Sequence, residues 1–168
     1  DLGTLSFSSP LDNRDTVLFV VTSSQSAYWR INRYGTFNAS GWTSSSVESE
    51  EVLKPGTGQT VPDPVGRRTF AYSVETRSKT DVMLVTGEFL SSSIPVMLAA
   101  QSATSSSALS DSDVIAVVTP QLLQPYQRYT TVASVSSATP AQLAKASRLY
   151  PDWVVSRYLQ VPANLSPR

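Results

Sequence analysis

The chain has 168 residues and a formal net charge of zero, 13 Lys plus Arg against 13 Asp plus Glu. Its basic residues are scattered, with Arg67-Arg68 as a pair, so it lacks the concentrated positive charge that displaces counterions from phosphate, and nucleic acid is excluded as a partner. It contains no cysteine and no histidine, which removes thiolate nucleophiles, Cys/His zinc sites and Ser-His-Asp relays from this chain.

A single domain of this size buries roughly 70% of its unfolded surface and needs no disulfide or metal to hold a core. Charged residues make up 15% of the chain, below the usual share of about 25%. Low charge with abundant Ser and Thr fits a β-rich chain that works outside the cytoplasm. The N-terminal "DLGTLSFSSP" lacks a basic-then-apolar leader pattern, and Asp1 in place of a start methionine fits a segment cut from a longer chain. The apolar runs "VLFVV" (17–21), "IPVMLAA" (94–100) and "VIAVV" (114–118) fall far short of the ~18–20 residues of a membrane span, so no membrane insertion is expected of this segment.

In chain order the pattern is mainly strand. "TVLFVVT" (16–22) is β-branched and aromatic. "AYWRINRYGTF" (27–37) alternates Tyr28, Arg30, Asn32 and Tyr34 against Trp29, Ile31 and Arg33. "SSSVESEEVLKPGTGQTVPDPVGRR" (44–68) has little periodicity and reads as a long excursion. Its "GTG" lacks the strand, helix and later glycine of a phosphate-binding turn. "RTFAYSVET" (68–76) alternates Phe70, Tyr72 and Val74 against Ala71, Ser73 and Glu75. "DVMLVTGEFL" (81–90), "PVMLAAQ" (95–101), "DVIAVVT" (113–119) and "RYTTVASVS" (128–136) complete the strands. The low-complexity "SATSSSALSDSD" (102–113) reads as a mobile loop. The continuous apolar runs are expected as central strands buried on both faces, the alternating ones as strands wetted on one side.

One helix is signalled: Thr139 as N-cap, Pro140 at the first position and Gln142 completing a capping box. Leu143, Ala146 and Tyr150 then form a narrow stripe for one packed face, and Pro151 stops the helix. The prolines of the tail favour an extended exit. The expected fold is mainly β: an antiparallel β-sandwich or barrel-like domain over 1–138, with one short C-terminal helix and an extended C-terminal arm over 139–168 packed on the same domain.

"AYWR…RYGTFNASGW" (27–42) resembles an aromatic block of membrane-tethered bacterial transglutaminase-like proteins, in the extracytoplasmic region ahead of their cysteine-protease-type core. "LYPDWVVSRYLQVPANLSPR" (149–168) resembles the junction that leads into that core, and "GEFLSSSIPVMLAA" (87–100) resembles, more loosely, the segment between. The resemblance implies a non-catalytic accessory domain that positions or gates a transglutaminase-like core downstream in the same polypeptide. It also implies an extracytoplasmic location, at the cell surface or in the periplasm, with the parent tethered by membrane helices. No catalytic residue carries over, because the family's Cys-His-Asp relay cannot be built here.

Neither a cofactor nor a metal site is expected. Glu48, Glu50 and Glu51 lack the spaced oxygen ligands and glycine of a calcium loop and read as solvated charge. The residues singled out are Tyr28, Trp29, Arg30, Tyr34 and Trp42. Core packing is the expectation for Tyr28, Trp29 and Trp42, and a structural role for Arg30, stacked on an indole or paired with an acid. The alternative is a stand-alone extracellular module that binds glycan or peptide through the aromatic block, with peptide or cell-wall material as its partner.

Overall fold

A computed structural model describes residues 4–6, 16–38, 40–44, 49–60, 66–102 and 112–160. The expected mobile loop at 102–113 lies outside the described residues, apart from its ends, as does the tail beyond residue 160.

The strands are β1 (Thr4–Ser6), β2 (Phe19–Ser23), β3 (Thr36–Asn38), β4 (Gly41–Thr43), β5 (Ser49–Leu53), β6 (Arg67–Thr76), β7 (Thr80–Val82), β8 (Glu88–Ser92), β9 (Val96–Ser102), β10 (Ser112–Leu123) and β11 (Arg128–Ser136). Two helices follow, α1 (Pro140–Lys145) and α2 (Asp152–Tyr158). All strand pairs are antiparallel. They form two four-stranded sheets, β5-β9-β10-β7 and β2-β6-β11-β8, and a small third sheet, β1-β4-β3. The fold is therefore mainly β and sandwich-like, as the strand pattern predicts, and it is not a closed barrel.

Both large sheets feed one core. Leu53, Val96, Leu98, Val117 and Leu123 come from the first, and Tyr72, Val74, Phe89, Tyr129 and Ala133 from the second. The alternation read in 68–76 is realised: Tyr72, Val74 and Thr76 are buried while Ala71 is exposed. β9 and β10 also behave as expected, with Leu98, Ala99 and Ala100, and then Ile115, Ala116 and Val117, buried on consecutive positions. The run "VLFVV" does not. β2 is an edge strand with its alternate residues exposed.

"DVMLVTGEFL" is not one strand, because its middle crosses from one sheet to the other. β7 pairs with β10 and β8 pairs with β11, so residues 83–87 traverse the core between them. Their polar backbone is satisfied in passing, as burial demands. Met83 N donates to Val117 O at 2.9 Å, Leu84 N to Tyr129 Oη at 3.0 Å, and Tyr72 Oη to Leu84 O at 3.3 Å. Met83 and Val85 then fill the interior as fully buried side chains.

Burial pushes the Tyr72 phenol up to about 12, hydrogen bonding lowering it only in part, and burial raises Tyr129 as well. These folded-state values lie above the unfolded one near 10. Their stabilising difference is complete below about pH 10 and is lost as pH climbs towards the folded values. The unfolding free energy is expected to be flat from neutral pH to about 9.5, then to fall by up to roughly 3 kcal/mol on account of Tyr72. Urea midpoints measured between about pH 9 and 12 test this; a constant midpoint across that range would refute it.

Two bulges turn ladder carbonyls outward. Val114 faces Ala100 while Ala116 faces Ala99, so Ile115 is the extra residue of β10. On β8, Ser91 faces Val132 and Phe89 faces Ala133, which leaves Leu90 extra. Each freed carbonyl captures a neighbouring segment: Ile115 O accepts from Arg33 N at 3.0 Å, and Leu90 O from Gln59 N at 2.7 Å.

The "long excursion" at 44–68 contains a strand, β5, that its charged sequence hid. The expected strand at 27–37 is mostly irregular chain, since it makes one bridge, Arg30 to Val85, before β3 begins. α1 carries the predicted capping box in full. The packed stripe does not exist: no residue of α1 is buried, and Leu143 and Tyr150 are exposed. Where an extended exit was expected, residues 152–158 turn into α2, with Pro151 at its N-cap.

Candidate functional site

The residues singled out in the aromatic block are not gathered on one surface. Tyr28 is 96% exposed, which overturns core packing for it. Trp29 is a core-facing anchor, its ring edge-on to Tyr72 at 4.8 Å and packed against the main core cluster. Trp42 belongs to the small sheet, where Phe37 and Leu5 are its register partners, and it remains 36% exposed, tilted on Phe37 at 5.0 Å. It is not a buried anchor: among the described residues it meets one neighbouring ring, that of Phe37. Trp29→Ala is expected to cost about 2–3 kcal/mol and Trp42→Ala about 1 kcal/mol or less. Urea midpoints of the two variants decide this, and a Trp42 cost equal to that of Trp29 would contradict it.

Among the described residues Arg30 neither stacks on an indole nor pairs with an acid, and its contacts are to backbone. Its guanidinium donates to Ile115 O at 3.3 Å and to Gly87 O at 3.2 Å, while its backbone bridges Val85 in both directions at 2.8 Å. It thus ties the crossing segment to β10. Burial lowers its pKa to about 10, helped by the like charge of Arg33 and opposed by Glu88 and Asp113.

Three residues further on, Arg33 reaches the most concentrated electrostatics among the described residues. Its Nη1 donates to Asp113 Oδ1 at 2.6 Å and its Nη2 to Glu88 Oε1 at 3.1 Å. Asp113, at the start of β10, has a side chain only 2% exposed. Its second oxygen faces the other way, accepting a hydrogen bond from Tyr158 Oη, with Arg157 Nη1 at 3.8 Å. A buried carboxylate is costly unless paired, and Asp113 is paired on both sides. Burial opposes the charge of Arg33, but Glu88 and Asp113 more than offset it and its pKa is raised. Burial raises the Tyr158 phenol, and the carboxylate beside it raises it further.

The last turn of α2 sits directly on Gly35. A Cβ there would stand 3.0 Å from Arg157 O and 3.6 Å from Tyr158 Cε1, so any larger residue would require this turn to give way by a few tenths of an ångström. Beside it opens a shallow cleft of about 440 Å³ lined by Arg33, Tyr34, Asp113, Trp153, Val154 and Tyr158. Arg157 lies 5.9 Å from the Trp153 ring centre, one helical turn away. Of the residues selected from sequence, only Tyr34 reaches this cleft.

No known family, curated protein or solved structure matches this chain.

Function must therefore be argued from the junction itself. It joins four parts of the chain: the 30–35 segment, β8 through Glu88, β10 through Asp113, and α2 through Arg157 and Tyr158. Its chemistry is cohesive, since every charge in it is turned towards another. The chain has no cysteine, so no catalytic cysteine acts here. Among the described residues no group of three or more metal-ligating side chains gathers. Glu50 and Glu51 fall in β5, and their side chains lie outside the described set, as does Glu48.

Sequence reasoning missed Asp113, Glu88, Trp153, Arg157 and Tyr158. Two signals pointed to them. Asp113 is an acidic residue at the head of a strand buried on both faces, a position that demands a partner. "PDWVVSRY" opens on Pro-Asp and carries a basic residue, Arg157, in its last turn, which are helix signals.

Proposed function

We propose that this chain is a non-catalytic accessory domain that holds a downstream catalytic core in a fixed orientation. The core would be of the transglutaminase-like kind that the aromatic block and the tail resemble. The observation that carries this reading is the double anchoring of α2: its last turn lies on Gly35, and its Tyr158 and Arg157 face the buried Asp113. A chain leaving from such a helix leaves in a set direction, whereas a Gly/Ser-rich tether would leave its partner free to tumble. A domain without a nucleophile can then shape access to an active site by fixing which surfaces flank it. The spread of the aromatic residues over separate settings favours this over a glycan- or peptide-binding face.

The coding sequence beyond Arg168 gives the first test, and the reading expects a Cys-His-Asp core there. In that longer protein, Tyr158→Phe removes one hydrogen bond to Asp113 and touches no catalytic group. It is expected to lower kcat/KM and to broaden the distribution of interdomain distances, while Trp42→Ala changes neither. A missing core, or a Tyr158→Phe protein with unaltered turnover and geometry, would defeat the proposal.

A further inference from the structure

Each of the two four-stranded sheets has two edge strands, and an open edge invites pairing with another chain unless something prevents it. Three of these edges carry such protection. β5 contains Glu50 and Glu51 and ends beside Lys54. β7 is only three residues long, includes Asp81 and follows Lys79. β8 is covered by a loop, with Gly56 N donating to Ser92 O at 2.8 Å and Gln59 N to Leu90 O at 2.7 Å.

Among the described residues β2 has none of these devices. The stretch Thr16–Ser24 reads TVLFVVTSS, without charge, proline or glycine, and its register with β6 runs unshifted from Phe19 to Ser23. Val17, Leu18 and Val20 are 60%, 52% and 38% exposed. Among the described residues no strand pairs with its outer side. The nearest charges are spent on one another: Glu75, opposite Val20, is bound by Arg77 at 2.9 Å and by Arg128 at 2.5 Å.

We propose that β2 is the docking edge for a second copy of this chain. The two β2 strands would run antiparallel about a two-fold axis perpendicular to the sheet, joining two four-stranded sheets into one. The strand that this edge calls for is uncharged, with apolar residues facing inward at alternate positions. β2 itself has that pattern. Its Phe19 and Val21 point inward, half-buried against the core, and Val20 and Thr22 point outward. A perpendicular two-fold keeps inward residues with inward ones, so each copy's Phe19 and Val21 cover the open margin of the other's core. Self-pairing brings no like charges together on β2, whereas on β5 it would set Glu50 and Glu51 against their own copies.

Sedimentation velocity on the 168-residue chain over roughly 5–500 µM suits an interface below the ~1,200 Å² of tight complexes. The expected result is a concentration-dependent dimer. Val20→Lys, which removes no core contact, places two lysines beside the axis and is expected to return the protein to monomer with its circular dichroism unchanged. Thr22→Lys on the same outward row repeats the test should Val20→Lys fold poorly. Val52→Lys, on the already charged β5 edge, is expected to leave the dimer intact. A monomer at every concentration would overturn the proposal, as it would if another segment or a foreign peptide occupied this edge. So would a dimer that survives both β2 substitutions, or one that Val52→Lys disrupts equally.

Discussion

Gly87→Ala is expected to lower the unfolding free energy by about 3–4 kcal/mol, a large part of the reserve of an ordinary domain. Gly87 sits at φ +50°, in the left-handed region, where an alanine pays for the close approach of its Cβ to the backbone. Space is the larger difficulty. A Cβ at this position would overlap Ser134 O and lie 2.7 Å from Val135 Cγ1. Neither neighbour can yield easily, because Ser134 is buried in β11 and paired with Glu88 of β8, and its carbonyl accepts from Arg67 Nη2 at 2.8 Å. The carbonyl of Gly87 is in use as well, as an acceptor for Arg30. A shift of the 87–88 backbone would therefore loosen the bridge between the aromatic block and the crossing segment. Urea denaturation with tryptophan fluorescence measures the cost, and a midpoint within error of the unmodified protein would contradict this account.

That glycine also shows where sequence stops being informative. Period-two alternation identified β6 closely, because it buries one face against the core and leaves the other towards solvent, and the β-rich run of β11 was located as closely. The Thr139 capping box is a local device and was read in full. "AYWRINRYGTF" also alternates and "DVMLVTGEFL" is apolar enough to read as one strand, yet they become an irregular strap and a crossover. Their polar backbone is satisfied by tyrosine hydroxyls, a bulge carbonyl and an arginine, partners 12 to 82 residues away and mostly beyond any local window. The stripe on α1 failed for a related reason: amphipathic spacing says that a face could be buried, not that anything lies opposite it. At the junction, Arg33 and Tyr34 were visible as part of a conspicuous motif. Asp113 stood at the end of a low-complexity run and Tyr158 in a tail expected to be extended, so their meeting was legible only in three dimensions.

The bulges explain how the sandwich presents a site at all. A regular ladder uses both backbone groups of each residue, and an inserted residue leaves one carbonyl over. Ile115 spends its carbonyl on Arg30 and Arg33, which brings the strap to the end of β10 where Asp113 begins the strand. The position of Arg33 thus follows from a backbone irregularity two residues away from the carboxylate it binds.

Asp113→Ala is expected to destabilise the domain by about 3–5 kcal/mol, since it removes the buried carboxylate shared by Arg33 and Arg157 and leaves their charges partly buried. Its local effect should exceed its global one at α2. Tyr158 would lose its acceptor, Arg157 a counter-charge 3.8 Å away, and the seven-residue helix is too short to persist on propensity alone. Amide exchange at Val155–Gln160 is expected to accelerate at least about tenfold relative to amides of β6 and β11, whose protection falls only with global stability. Asp113→Asn separates the two contributions. It keeps the volume and an oxygen for Tyr158 while removing the charge, so Tyr158 should stay engaged and Arg33 should loosen from β10. Uniform acceleration across β6, β11 and α2 in the alanine variant would mean that the helix opens only with the whole domain. Unchanged exchange at 155–160 would show that Asp113 does not hold it, and the fixed exit on which the proposed positioning role rests would be lost.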